Sequence, residues 1–125
     1  MGNTRILIIE DGEAIANLEK AILEQESYDI EMVSSGFEGL KRIVKQEYDV
    51  IISDFSMPRM KGDEFYSEVQ KISQGLEKRI IFVTGFINDF IESTGNEYIV
   101  KPFSNKQFLE KIKAFINLTC NQTRF

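Results

Sequence analysis

Acidic residues stand at the ends of two short apolar runs in this chain. The run Val50–Ile52 leads through Ser53 into Asp54, and a charge at the end of a buried strand is costly unless something neutralises it. Glu10 and Asp11 follow an earlier apolar run in the same way. These carboxylates therefore either cap the structure next to them or take part in chemistry.

Two later apolar runs also end in polar residues, namely Thr84 and Lys101. Ligands of a parallel α/β sheet bind outside the carboxyl ends of its strands, so all these residues could converge on one cleft. Close carboxylates repel one another, which a retained proton or a bound divalent cation relieves. A lysine supplies a charge for a phosphoryl oxygen, and a threonine supplies a hydrogen-bond donor. Phosphoryl transfer to a carboxylate needs such a set: Glu10, Asp11, Asp54, Thr84 and Lys101.

The composition narrows the chemistry further. The 125 residues include no histidine and one cysteine, which excludes Ser-His-Asp and Cys-His catalysis and argues against zinc. A metal would have oxygen ligands, which favours Mg²⁺, Ca²⁺ or Mn²⁺. Cys120 cannot form an internal disulfide, so a reducing cytoplasm is expected. The net charge of −5 without a basic block argues against direct nucleic-acid binding, and no apolar run is long enough for a membrane span.

Strand-like and helix-like patterns alternate five times along the chain. The alternation predicts an α/β fold with a parallel sheet covered by helices on both faces, as one domain over residues 1–125 with its core at about 5–118. The predicted strands are Arg5–Glu10, Tyr28–Val33, Val50–Ser53, Arg79–Gly85 and Glu97–Pro102.

Helical spacing of apolar residues predicts the segments between the strands. Helices are expected from Glu13 to about Gln25, behind Ser35, from about Gly62 to Ile72 and behind Ser104. Ser35 with Glu38, and Ser104 with Gln107, have the spacing of capping boxes. Residues expected to face the core are Ile15, Leu18, Ile22, Phe37, Leu40, Ile43, Val44, Phe65, Val69, Ile72, Phe108, Leu109, Ile112, Phe115 and Ile116.

Four motifs, in this order, resemble the receiver domain of two-component response regulators. The resemblance extends from Arg5 to Leu118 and implies a flavodoxin-like (βα)5 fold with the strand order 2-1-3-4-5. The motifs are "ILIIED" (Ile6–Asp11), "DFSMPRMKG" (Asp54–Gly62), "IIFVTG" (Ile80–Gly85) and "YIVKPF" (Tyr98–Phe103).

The resemblance implies a phosphoryl acceptor and a metal site. Asp54 matches the phospho-acceptor of the family. Asp11, Asp54 and the backbone carbonyl of Ser56 match direct ligands of Mg²⁺ (or Mn²⁺), while Glu10 would reach the ion directly or through water. The pair Glu10–Asp11 departs from the commoner Asp–Asp of the family.

The resemblance also implies a conformational switch. Lys101 matches the lysine that pairs with the carboxylate and then with the phosphoryl group. Thr84 matches the hydroxyl that turns toward that group, with the small Gly85 leaving room, and Tyr98 matches the aromatic residue that then moves inward. The family has a cis peptide bond before the proline that corresponds to Pro102.

Two details of the sequence are unusual for the family or variable in it. The span from Gly85 to Val100 is about one helical turn short, so a short or irregular fourth helix is expected. Ser56 and Phe86 stand where they would border the path of the hydrolytic water and thereby influence the lifetime of the phosphoryl group.

The expected function is a phosphorylation-dependent signalling switch that turns over no external substrate. Its expected partners are a histidine kinase or phosphotransfer protein, and an output protein or missing effector domain, with a homodimer as a further expectation. The alternative is a pseudo-receiver that binds partners without being phosphorylated. An aspartate-based phosphatase of another α/β fold is weaker, because Ser56 stands where such enzymes usually carry a second Asp.

Overall fold

Five short strands form one parallel sheet in the computed structural model, which describes residues 3–123 and, within them, side chains up to residue 119. The order β2-β1-β3-β4-β5 confirms the predicted fold and places β2 and β5 at the two edges. The strands are β1 (Arg5–Ile9), β2 (Asp29–Val33), β3 (Val50–Asp54), β4 (Ile80–Thr84) and β5 (Tyr98–Val100).

Helices cover both faces of this sheet. The helices α1 and α5 contribute to one apolar cluster, and α2, α3 and α4 to the other. None of the helices in the described part of the chain has the length and apolar character that a membrane span requires. The helices are α1 (Glu13–Leu23), α2 (Gly36–Lys45), α3 (Gly62–Ile72), α4 (Asp89–Thr94) and α5 (Asn105–Thr123), with a 3-10 turn at Leu76–Arg79.

The central strands are buried on both faces, as their uninterrupted apolar sequences predict. Alternate residues of β1 point to opposite clusters: Ile8 belongs to the cluster that includes Phe108 and Ile112 of α5, and Leu7 to the cluster that includes Phe65 of α3. This double burial holds the carboxyl ends of β1, β3 and β4 side by side. The side chain of Cys120, in the last turns of α5, lies outside the described residues.

The two predicted capping boxes have different outcomes. At α5 both bonds form: Gln107 N donates to Ser104 Oγ (3.0 Å), and Ser104 N donates to Gln107 Oε1 (2.9 Å). At α2 only one of them forms, from Glu38 N to Ser35 Oγ (3.2 Å). The carboxylate of Glu38 instead accepts from the N–H and hydroxyl of Ser34, so the second half of this prediction is wrong.

The predicted inner face of α1 is wrong at two positions. Ile15 and Leu18 are exposed at 41% and 47%. The helix is rotated about its axis so that its buried face is Ala16, Glu19, Ile22 and Leu23. Only Ile22 was expected on that face, and the charged Glu19 was not.

The inner face of α2 is likewise partly wrong. Phe37 and Val44 are exposed, whereas Gly36, Gly39 and Ile43 are buried and Leu40 packs at the margin of the core. The glycines allow α2 to approach the sheet closely, since a Cβ on Gly39 would lie 2.6 Å from Ile9 Cδ1. The spacing of apolar residues did not predict this buried face, because two of its residues are glycines.

The remaining helices follow the predictions more closely. On α3, Phe65 and Val69 are buried but Ile72 is exposed, contrary to expectation. The short fourth helix is confirmed. It begins at Asn88, whose side chain accepts from Ile91 N (2.8 Å), and ends at Gly95 in the left-handed conformation (φ 74°).

Candidate functional site

Three carboxylates meet at the carboxyl end of the sheet. Asp54 is the last residue of β3, and Glu10 and Asp11 directly follow the neighbouring β1. Carboxylate oxygens of the three residues lie within 4.8 Å of one another. Glu10 and Asp54 are only 4% and 5% exposed, whereas Asp11 is exposed to solvent. The adjacent pairing of β1 and β3 therefore brings together the acids that the sequence singled out.

Lys101 reaches this cluster from the end of the edge strand β5, which is separated from β3 by β4. Its Nζ lies 3.4 Å from Asp54 Oδ2 and 4.0 Å from Glu10 Oε1. Lys101 follows β5, where its N–H donates to the carbonyl of Thr84 (2.8 Å). The peptide bond between Lys101 and Pro102 is cis, the isomer that the resemblance implied. The side chain thus reaches across the end of β4 to the acids of β1 and β3.

The environment of Glu10 suits a bound cation. Its Oε2 accepts from Gly12 N (3.0 Å), but its buried Oε1 has no hydrogen-bond partner among the described residues. Burial raises the pKa of Glu10 to about 7; the Gly12 N–H opposes the rise, and the charge of Asp54 adds to it. A buried oxygen that accepts no hydrogen bond, within a cluster of carboxylates, fits Mg²⁺ or Mn²⁺.

Thr84 ends β4 beside this cluster and is 2% exposed. Its hydroxyl donates to the carbonyl of Phe86 (2.7 Å) and accepts weakly from Phe86 N (3.4 Å). A Cβ placed on Gly85 would meet no heavy atom within 4 Å, so there is open space next to Thr84. The hydroxyl is therefore engaged with the backbone and not with a carboxylate.

A cavity of about 560 Å³ opens in front of the site. Ser56 lies at this opening, and its N–H donates to Asp54 Oδ1 (3.1 Å). Phe86, whose side chain is exposed, also lines the cavity. The lining residues are Asp11, Phe55, Ser56, Met57, Pro58, Lys61, Thr84, Phe86 and Asn88.

Tyr98, the predicted switch residue, belongs neither to the acidic cluster nor to the residues that line the cavity. It is the first residue of β5 and pairs with Phe82, two positions before the pair of Thr84 and Val100. Its half-buried ring packs against the apolar cluster of α2, α3 and α4, and Lys111 Nζ lies 5.9 Å from the ring centroid. Tyr98 therefore occupies the strand next to Thr84 but not the carboxylate cluster.

Sequence reasoning missed two charged residues near the site. Glu19 is 1% exposed on the inner face of α1, and its Oε2 has no hydrogen-bond partner among the described residues. Burial raises the pKa of Glu19 to about 8, and the charge of Glu10 adds to the rise. Lys61 lines the cavity. Apolar spacing predicts only which apolar residues are buried, so it could not indicate a buried glutamate. Lys61 lies within the motif Asp54–Gly62, but no role was predicted for it.

A family comparison accounts for this arrangement. The sequence model described as "Response regulator receiver domain" matches residues 6–113, which is most of the chain.

The chain belongs to the response regulator receiver domain family.

Curated relatives of this receiver domain are response regulators and transcriptional regulatory proteins. It is 31% identical over 118 residues to "Response regulator ArlR" of Staphylococcus saprophyticus, an alignment covering 90% of this chain and 52% of the relative. It is 30% identical over 114 residues to "Transcriptional regulatory protein DltR" of Streptococcus agalactiae, covering 87% of this chain and 50% of the relative. The chain spans about half the length of the curated relatives it matches.

Solved structures give the same fold. A CheY-like receiver domain protein from Methanospirillum hungatei is 32% identical, with a TM-score of 0.86 over 97% of this chain and 99% of the other. The chemotaxis protein CheY4 of Vibrio cholerae is 28% identical, with a TM-score of 0.82 over 91% of this chain and 99% of the other.

Proposed function

We propose that this receiver domain is a phosphorylation-dependent signalling switch in which Asp54 accepts a phosphoryl group from a partner histidine kinase or phosphotransfer protein. The observation that carries the proposal is the pairing of a buried carboxylate with a lysine: Asp54 Oδ2 lies 3.4 Å from Lys101 Nζ, with Glu10 and Asp11 in the same cluster. One cation would be enough to neutralise a single buried carboxylate. Asp54 instead shares its site with two further carboxylates as well as a lysine, which is the set that phosphoryl transfer needs.

The transfer step uses Asp54 as the nucleophile. A carboxylate oxygen attacks phosphorus, the bond between phosphorus and the donor's imidazole nitrogen breaks, and its electron pair stays on that nitrogen. Lys101 then follows the negative charge from the carboxylate to the phosphoryl oxygens. Glu10, Asp11, Asp54 and the carbonyl of Ser56 would hold Mg²⁺ (or Mn²⁺), which when bound neutralises charge on the phosphoryl oxygens.

The switch follows from the added charge. A phosphoryl group brings nearly two negative charges into the site. The hydroxyl of Thr84 exchanges the carbonyl of Phe86 for a phosphoryl oxygen, and the open space at Gly85 accommodates this movement. Tyr98 on the next strand moves inward in response, and the equilibrium between two surface shapes shifts.

The domain is expected to act inside the cell as one unit that passes a signal to a partner. Residues 1–125 form a single receiver domain with its core at about 5–118, in the cytoplasm and apart from membranes. It catalyses only its own phosphorylation and dephosphorylation, and Ser56 and Phe86 at the cavity influence the lifetime of the phosphoryl group. Its output passes to another protein, to an effector domain of a longer protein or to a homodimer, without nucleic-acid contacts by this chain.

The test uses a small phosphodonor. The protein is incubated with acetyl phosphate and Mg²⁺, and its intact mass is followed. We expect the gain of one phosphoryl group, which disappears in Asp54→Ala and when Mg²⁺ is chelated. Asp63→Asn, which removes a carboxylate from the first turn of α3, serves as the matched control and should be modified like the unchanged protein. No gain with several donors would indicate a pseudo-receiver.

A further inference from the structure

Lys61 supplies a positive charge at the entrance of the candidate site. The cavity beside the carboxylate cluster is lined by the acid Asp11, by Thr84 and by Lys61, which lies at the end of the loop that follows Asp54. Among the described residues that line this cavity, Lys61 carries the only positive charge. Lys101, the other cation near the acids, is already paired with Asp54 and Glu10.

A lysine is unfavourable for stability at the position of Lys61. It occupies the N-cap position of α3 and makes no side-chain cap hydrogen bond. Ser, Asp or Asn would satisfy a free N–H there, and a positive charge is unfavourable at the positive end of a helix. In the first turn, Asp63 and Glu64 offset the dipole, and Asp63 Oδ1 accepts from Glu64 N (2.9 Å), but neither residue removes the unfavourable charge at the N-cap. A residue that lowers local stability at the rim of a candidate site points to a role in that site.

The backbone on both sides of Lys61 is held firmly. Met60 is 5% exposed and packs against Gly36, and Gly62 N donates to the carbonyl of Phe55 (2.9 Å). Gly62 is tightly enclosed, because a Cβ there would lie 2.4 Å from the Phe55 ring. The loop therefore fixes where the Lys61 side chain begins.

The amine of Lys61 is available to an incoming anion. Its side chain is exposed, and no salt bridge joins it to a carboxylate among the residues whose side chains the structure describes. An approaching phosphodonor is anionic and meets the carboxylates of Glu10, Asp11 and Asp54. A free cation at the entrance lowers this repulsion and raises the rate of productive encounter.

We propose that Lys61 is a binding residue for the phosphodonor, which attracts its anionic phosphoryl group into the cavity in front of Asp54. The inference rests on the proposed function, because it concerns the rate at which Asp54 is phosphorylated. Phosphoryl transfer itself is unchanged: the bond to the donor breaks and the bond to the Asp54 oxygen forms.

The experiment measures the rate of phosphorylation by acetyl phosphate in the presence of Mg²⁺, from intact mass against time, at low and high salt. Lys61→Ser and Lys61→Gln both remove the charge, but only serine can cap α3. We expect both to lower the rate by about threefold to tenfold at low salt, with the difference shrinking at high salt. Both should raise the melting temperature because a positive charge leaves the N-terminus of α3, and Lys61→Ser should raise it more, by about 3–5 °C, because serine can also cap the helix.

Two variants complete the design. Lys61→Arg keeps the charge and should retain the rate. Arg59→Asn removes an exposed cation of the same loop that does not line the cavity, and asparagine tolerates the left-handed backbone found there (φ 68°). Its rate should stay within about twofold of the unchanged protein.

The outcomes separate this inference from the proposed function. If the unchanged protein is phosphorylated but Lys61→Gln reacts equally fast at low salt, only the role of Lys61 is overturned. An equal loss in Arg59→Asn would also overturn it, since the effect would then belong to general surface charge. If the unchanged protein gains no phosphoryl group at all, the proposed function fails and the role of Lys61 fails with it.

Discussion

At the scale of single residues, Glu19 is the least expected feature of this receiver domain. It lies on the inner face of α1 beside Ile22, and one of its carboxylate oxygens has no hydrogen-bond partner among the described residues. A carboxylate in such a place is favoured in its protonated form. The position would accept an apolar side chain of similar size, so the present residue costs stability wherever it ionises.

The pH dependence of stability tests this view of Glu19. Its pKa rises from an ordinary value of 4.5 to about 8 in the folded state, so the folded protein binds the proton more tightly than the unfolded chain. Its contribution to stability is therefore full below about pH 4.5 and is lost as the pH rises toward 8, on the order of 4 kcal/mol in total. Glu19→Leu should remove this loss, as measured by urea unfolding between pH 5 and pH 8.

Two comparisons make the Glu19 experiment specific. Glu10, whose raised pKa gives a loss of the same sign, is present in both proteins, so the difference between their curves reports Glu19 together with its repulsion from Glu10. Glu19→Gln keeps the shape without the titration and should lose as little stability toward pH 8 as Glu19→Leu does. Parallel curves for the unchanged protein and Glu19→Leu would show that Glu19 does not titrate in this range.

At the scale of elements, the sequence predicted which segments are strands and helices better than it predicted how the helices face. The central strands were found because double burial gives continuous apolar runs such as Ile80–Val83, whereas the edge strand β2 was found from its alternating pattern. The helix faces were harder, because Ile15 and Phe37 fit the apolar spacing although they are exposed. The buried face of α2 includes Gly39, which has no side chain to enter such a pattern.

The coupling between β4 and β5 gives a prediction at the same scale. The hydroxyl of Thr84 at the end of β4 has to leave the carbonyl of Phe86 before it can reach a phosphoryl group. Thr84→Val keeps the shape but removes the hydroxyl, so Asp54 should still be phosphorylated while Tyr98 on β5 no longer responds. The loss of one charge-assisted hydrogen bond, about 1.5–3 kcal/mol, should weaken the shift toward the active state by about tenfold or more.

NMR spectra before and after phosphorylation measure that coupling. In the unchanged protein we expect chemical-shift changes both around Asp54 and along β5, whereas in Thr84→Val only the first set should remain. Thr84→Ser keeps the hydroxyl and should restore the changes along β5. A response of Tyr98 in Thr84→Val as large as in the unchanged protein would contradict a switch that passes through this hydroxyl.

At the scale of the whole molecule, the convergence of the site could be predicted because parallel topology leaves little freedom. Strands that run the same way place their carboxyl ends at one edge, so Asp11, Asp54 and Lys101 had to lie near one another once the strands were known. The details could not be predicted, because the burial of Glu19 depends on how α1 packs against segments far away in sequence, and the partner of the Thr84 hydroxyl depends on the conformation of the loop after β4. The positions of the site residues could therefore be predicted from the ends of the strands, whereas the faces that the helices bury could not.

The same clustering predicts that the stability of the whole fold depends on divalent cations. Folding brings Asp54 next to Glu10 and Asp11, from which it is distant in the unfolded chain, so a cation that binds only the folded cluster stabilises it. Mg²⁺ at a hundred times its dissociation constant should contribute about 2.7 kcal/mol, which raises the melting temperature by several degrees. Asp11→Asn should reduce this gain and, without Mg²⁺, should itself melt higher than the unchanged protein because one repulsion is gone.

Thermal melts in Mg²⁺, in chelator and in NaCl of equal ionic strength measure these effects. An equal gain from NaCl would assign the stabilisation to screening, and an unchanged gain in Asp11→Asn would place the ion elsewhere.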